Sequence, residues 1–391
     1  MVVNLLKSAV SYGVQAVLGT VAPVLGRYIG PFDGGIDTPE MEQKLAPNHS
    51  IGDGPEAESI SVGVKECPMV SLSYKPVDFN FAARAWGWIK IIGNHSTKDD
   101  DLDGALAIGD TTVTVVGTGI ANDKQIQIGT DDDGAAEVVN VVSGGGTVDL
   151  VVSPPIRNVH DSGTDVFILT DTIITSTITV PDDSLPQPIT MEYPIKDTGS
   201  DTFVRQCLDS YLREFEASAK KGDFNPKFTI GIQPRIVTKT STLSTPTKTG
   251  LQPFNVDAGN VTLTAWGQSV GTLVGWKIKM VRTGKLEHYM TDSDPQLPQA
   301  NDLGFVRYEL EADVRITDDT YFDLLTSSAA AWTLKMSRDT NDYIQFTTSV
   351  AYLSKNQTPY PDDAMAPICH LSGECTTISV EVKVDDGTLI P

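Results

Sequence analysis

Cysteine and histidine are scarce in this chain, with four and five copies in 391 residues. The cysteines, Cys67, Cys207, Cys369 and Cys375, form no C-x-x-C pair, so neither a zinc site nor a dithiol redox motif is indicated. They read as buried free thiols. The alternative, a Cys369–Cys375 disulfide closing a turn, needs an oxidising compartment. No H-E-x-x-H, G-x-S-x-G or P-loop occurs, which removes familiar signatures of zinc proteases, serine hydrolases and nucleotide-binding enzymes. Basic residues are also few: 29 Lys and Arg against 51 Asp and Glu leave a net charge of −22. A uniformly acidic surface repels nucleic acid and anionic membranes, which disfavours a tight DNA or RNA binder. Adaptation to high salt is a second reading of the same acidity. Long apolar runs are missing too. The stretch Ser11–Gly35 is rich in small and apolar residues, but Gln15, Thr20, Pro23 and Arg27 interrupt it. It falls short of the ~20 apolar residues of a membrane helix and lacks the unbroken core of ~7–15 residues of a signal peptide. The expectation is a folded or partner-docked arm on a protein made in the cytosol; a noncanonical targeting segment is the alternative.

Helical periodicity is nearly absent, and short β-branched runs separated by Gly, Asp, Asn and Pro clusters take its place. They predict strands at Val70–Tyr74, Thr111–Val116, Glu137–Val142, Val148–Val152, Ile173–Val180, Phe228–Ile232, Val261–Ala265, Lys277–Val281, Phe305–Ile316 and Ile378–Val384. The fold class is therefore all-β with minor α, built from antiparallel sheets. Val204, Leu208, Tyr211, Leu212 and Phe215 have helical spacing, so that stretch is ambiguous. Breaks fall at the charged run Asp99–Asp103, at the proline-rich Pro181–Pro188, and at the Thr/Ser/Pro-rich Thr238–Pro253, which reads as a linker or long loop. Between the first break and about Thr170 lies a compact unit of four or five short strands, with Ser143–Gly146 (SGGG) as a hairpin connection. Met69–Gly87 and Val306–Ser328 share a plan of alternating strand, Asp-bearing turn and an aromatic segment with the length of a short helix.

Chemistry is thinly represented. His49, His95, His160, His288 and His370 are scattered. His160-Asp161-Ser162 has the residue types of a triad, but neighbours on an extended chain face opposite ways, so a solvated turn is the plainer reading. Asp131, Asp133 and Glu137 in DDDGAAE offer oxygen ligands to a hard cation, yet lack the alternating order of a calcium loop. A solvated hairpin tip is the plainer reading there too. Trp86, Trp88, Trp266, Trp276 and Trp332 lie in or beside strand-like segments, which favours core packing over a sugar platform. No catalytic residue, cofactor or metal is assigned.

The order of short motifs resembles the tail tube proteins of long-tailed, siphovirus-like viruses of bacteria or archaea. Tyr12-Gly13, Gly19-Thr20-Val21-Ala22 and Leu25-Gly26 stand in the opening stretch. VSLSYKPVDFNFAARAWG, LVGWKIKMVRTGK, VRYELEADVRITDDTYFDLLTSS and YIQFTTSVAYLSKN follow in sequence. The compact unit, with E-V-V-x-V, a Gly turn and H-D-S-G, resembles a small β decoration module of tailed-virus structural proteins. The resemblance covers most of the chain outside that insertion; the insertion, and a length exceeding a single-barrel tube subunit, are departures from the family pattern. It implies tandem antiparallel β-barrels or sandwiches: an N-terminal assembly arm over 1–35, a first barrel over 36–102 and 171–250, the inserted module over 103–170, and a second barrel over 251–391. It also implies that Val204–Phe215 is a strand. The implied function is structural and non-enzymatic. Subunits stack as trimeric pseudo-hexameric rings, or hexameric rings, into a tube in the virion tail, assembled in the host cytoplasm. Implied partners are further copies of the chain, tail terminator, tape measure and baseplate proteins, and viral DNA in transient, non-specific passage; no membrane anchor is implied. Acidic residues lining the channel would repel DNA, and the module would project from the outer wall. Rival readings are a surface β-sandwich adhesion or S-layer-type protein, and a carbohydrate-active β-domain enzyme with a convergent carboxylate pair.

Overall fold

A computed structural model gives the fold and describes residues 10–15, 21–22, 27–33, 38–48, 59–95, 98–131, 133, 135–170, 173–180, 186–197, 202–244, 251–256, 260–270, 272–289, 297–315, 329–357 and 367–385. The chain is nearly all β, its one α-helix among the described residues being the single turn Asn80–Ala83. The predicted strands Val70–Tyr74 and Val261–Ala265 are found with those bounds and most others within one or two residues, while Lys277–Val281 and Phe305–Ile316 fall on the longer strands Leu273–Glu287 and Ala300–Arg315. The helical spacing at Val204–Phe215 belongs to a strand, Thr202–Lys220. From Gln206 to Arg213 it is buried on both faces, so inward and outward residues do not alternate there. Period 2 returns only from Arg213 onward, where Phe215, Ala217 and Ala219 point inward and Glu214, Glu216 and Ser218 outward.

This long strand organises the body. One edge pairs with Lys227–Gln233 and then Ile236–Thr240; the other pairs with Ile189–Asp197 and then Leu273–Glu287. The strand thus passes from one sheet into another, with an irregularity at Leu212/Glu214 and a left-handed residue at Asp209 (φ 49°) marking the bend. From Leu273–Glu287 the sheet continues through Ala300–Arg315, Ile368–Cys375 and Tyr343–Gln357. Tyr343–Gln357 also pairs with Ser379–Val384, which leads to Ile174–Thr179 and Trp88–Ile92. The expected boundary at 250/251 does not separate two cores. Ile174–Thr179 pairs with Ser379–Val384 across it, and Phe79, Trp86, Phe215, Phe228 and Phe346 pack in one aromatic cluster with centroids 5.0–6.3 Å apart. The linker expected from Thr238 begins later, because Thr238–Thr240 still pair with Val204–Gln206; residues 245–250 lie outside the described residues.

Residues 100–168 form a separate six-stranded antiparallel sheet. It has its own apolar core, including Val113, Ile126, Ile128, Val139, Leu150 and Val166. It starts at Asp100, three residues before the expected module boundary, because Asp100–Asp101 pair with Asp165–Val166. Gly144 in the SGGG turn has φ 79°, and a Cβ there would stand 2.2 Å from the Asp149 carbonyl oxygen. Both conditions demand glycine. Val138 and Leu169 face the other way and pack into the main core, which seats the module on the body. Of the shared plan seen in the sequence, Met69–Gly87 carries its strand and helix; residues 316–328 of the second copy lie outside the described residues.

Candidate assembly surfaces

The cation candidates are not brought together. Asp131 Oδ1 accepts from Gln127 Nε2 at 2.8 Å and lies 3.2 Å from His95 Nε2. Asp133 accepts the Ala135 backbone N–H at 2.9 Å. Glu137 points into the module, 1% exposed, and takes N–H donations from Arg157 (backbone and Nε) and Asn158. Its Oε1 also lies 3.0 Å from His160 Nε2. Among the described residues no group of three His, Cys, Asp or Glu is placed to hold a metal ion. His160 is thus a correction: it is buried against Glu137, and only Asp161 and Ser162 of its tripeptide lie in the exposed turn. They form no triad. The E-V-V-x-V glutamate and the H-D-S-G histidine turn out to be partners across 23 residues.

Burial pushes the Glu137 carboxyl up, but the bond from His160 and the charge of Arg157 outweigh it and hold it below its ordinary value. A carboxyl lowered on folding contributes stability above its unfolded pKa and loses it as pH falls through the folded one. Acidification below about pH 4.5, the ordinary value, is therefore expected to loosen the module. Amide hydrogen exchange at Val138–Val141 would accelerate there, and Glu137→Gln would flatten that acid dependence while weakening the module at neutral pH.

All four cysteines are free and buried. Cys369 and Cys375 lie on one strand, six residues apart, so roughly 20 Å separates them. That is beyond the ~7 Å reach of a disulfide, so the turn-closing bridge is excluded. Burial raises the Cys67 and Cys375 thiols to about 11, which makes them poor nucleophiles. Trp86, Trp266, Trp276 and Trp332 are in the core, as the strand context predicts, while the side chain of Trp88 lies outside what the structure describes.

The described part of the opening stretch is folded in cis. Ser11–Val14 pairs antiparallel with Ile189–Glu192, and Tyr12 packs on Phe81. Its anchor is a polar cluster around Asp209, which has no exposed surface. Asp209 Oδ1 accepts from Gln15 Nε2 at 3.0 Å and Oδ2 from Arg235 Nε at 2.6 Å, while the Asp209 N–H donates to Gln15 Oε1 at 2.8 Å. Asn301 Nδ2 donates to the carbonyls of Asp209 and Gln233, and Arg213 donates to Asn301 Oδ1. The cluster fixes the arm, the bend in the long strand and the end of Ala300–Arg315 to one another. Sequence reasoning passed over it, although charged residues inside the apolar CLDSYLREF run were its visible signal.

Two features extend from this body. Glu42–Asn48 and Ser59–Glu66 form a two-stranded ribbon that joins neither larger sheet. In its backbone register Leu45 pairs with Val62 and Ile60 with Pro47, and Leu45 and Ile60 are 59% and 60% exposed. The second is the hairpin Leu273–Glu287/Ala300–Arg315, whose far half carries Phe305 at 90% exposure. Between ribbon and hairpin lies a polar cleft of about 420 Å³ lined by Lys44, Glu66, Arg213 and Lys285. Lys44 lies 2.9 Å from Glu66 and holds its carboxyl below the ordinary value, with His288 of the hairpin on the other oxygen. Among the described residues Trp88–Ile92 pairs with Ile174–Thr179 and with no other strand. No described helix is long and apolar enough to cross a membrane. The chain matches no known family model and no curated protein.

Proposed function

We propose that this chain is a virion structural protein whose copies close into rings and stack as a tail tube. The observation that carries the reading is the two-stranded ribbon that joins neither larger sheet. A two-stranded ribbon is marginal alone in water, and exposed Leu45 and Ile60 lose apolar contact unless something covers them. The edge of Trp88–Ile92 that no described strand pairs has the same need, since an unpaired edge is an aggregation hazard unless paired or blocked. Copy-to-copy pairing satisfies both. The reading implies three chains per ring if both halves of the chain line the channel, and six if one does. It also places the acidity. Residues 99–170 hold thirteen acidic and two basic residues, net −11 of the chain's −22. With the module on the outer wall, half the net charge belongs to the tube's exterior rather than its channel.

Electron microscopy of the purified protein tests this. Rings or tubes support it; dispersed monomers with glycan binding favour the surface-adhesion rival. Leu45→Glu with Ile60→Glu is expected to leave the monomer's thermal midpoint nearly unchanged, because exposed substitutions usually cost within about 0.5 kcal/mol. The same variant should abolish or sharply reduce assembled particles.

A further inference from the structure

One sheet face departs from the chain's overall charge. The strands Trp88–Ile92, Ile174–Thr179, Ser379–Val384, Tyr343–Gln357, Ala330–Ser337, Val261–Ala265 and Gln268–Val270 lie side by side. Their inward residues, among them Ile178, Val380, Phe346, Leu334 and Leu263, are buried. The outward residues form rows across the strands. Ser269, Thr264, Thr333, Thr347 and Ser379 are one such row, each in register with the next. A second runs Thr262, Lys335, Gln345, Glu381, Thr177, Lys90. With Tyr343–Gln357 taken only as far as Thr348, where it lies between Ala330–Ser337 and Ser379–Val384, seven outward positions are threonine, and the charged ones are three lysines (Lys90, Lys335, Lys383) and Glu381. The Tyr343 hydroxyl donates to Glu381, and Lys335 Nζ stands 3.6 Å from the Tyr343 ring centroid, so the charged groups are braced in place. The face is net +2, which leaves −24 for the rest of the chain.

We propose that this threonine-rich, cationic face is the surface on which a second copy of the chain docks, through an acidic part of that copy. Copies of a protein with net charge −22 repel each other over most approaches. This face is an exception, because it attracts acidic surface and its short hydroxyl side chains let a partner come close. Two such faces would repel one another, so the contact joins unlike surfaces. A contact between unlike surfaces is heterologous, and heterologous contacts close into rings or extend into filaments. The inference rests on the ring reading only in requiring that copies associate.

The test uses the full chain with two variants: Lys335→Glu/Lys383→Glu, which reverses the charge, and Thr347→Trp, which adds bulk without charge. Association is followed by analytical ultracentrifugation and electron microscopy at low and high salt, with duplex DNA of mixed sequence as a second probe. The expected result is wild-type association that weakens as salt rises, at least tenfold weaker in both variants at unchanged thermal midpoint. Wild-type rings with equally good rings from both variants would overturn the face as the contact and leave the ring reading standing. Wild-type monomers at every concentration would overturn both. DNA retention lost in the charge-reversed variant while its rings persist would assign the face to nucleic acid and overturn the proposal.

Discussion

Replacing Phe215 by alanine is expected to destabilise the whole body by about 3–5 kcal/mol, the range for deleting a large buried aromatic, while the six-stranded module stays folded. Phe215 has no exposed surface and meets Trp86 at 5.0 Å, Phe228 at 5.1 Å, Phe79 at 5.9 Å and Phe346 at 6.0 Å between ring centroids. Those rings come from both sides of the 250/251 boundary. If that boundary divided two independent barrels, the loss would be confined to the first. With one core, the strands Tyr343–Gln357 and Ser379–Val384 should melt together with Thr202–Lys220. Hydrogen exchange separates the two outcomes residue by residue. The amides of Val139 and Val141, inside the module's own core, serve as the internal control.

Arg235→Ala is expected to cost about 3–5 kcal/mol, the penalty for leaving a buried charge without its partner. The Asp209 carboxylate is fully enclosed and Arg235 grips it through Nε at 2.6 Å. Removing the guanidinium leaves Gln15 as the remaining side-chain donor to that carboxylate among the bonds described above. Adding Asp209→Asn to Arg235→Ala removes the stranded charge, and part of the loss should return. Because Gln15 belongs to the arm, the single variant should also expose residues 10–15 to limited proteolysis. Denaturant unfolding reads the energy and a protease time course reads the arm.

Local pattern made the strands legible where one face of the sheet is wet. Ile174–Thr179 reads ITSTIT and alternates buried and half-exposed, as period 2 requires. The same logic failed over Gln206–Arg213, where both faces are covered and neither periodicity describes burial. The ribbon strand Glu42–Asn48 was invisible for another reason. EQKLAPN has no β-branched run and includes a proline, so pairing with Ser59–Glu66 supplies what propensity does not. The site-forming contacts were beyond sequence because they are long-range. Gln15 meets Asp209 across 194 positions and Trp86 Nε1 donates to the Ile378 carbonyl across 292. Glu137 looked like a surface ligand because it follows an acidic run, but it is the first residue of the strand Glu137–Ser143, which turns its carboxylate inward toward Arg157 and His160.

The central claim is that copies of this chain assemble into rings that stack. Electron microscopy of the purified full chain, with symmetry analysis of end-on views, tests it most directly. The account predicts closed rings of three or six chains that stack into tubes, with the 100–168 module resolved on the outer wall. Particles that stay monomeric across concentration and salt, or flat sheets without a central channel, would contradict it.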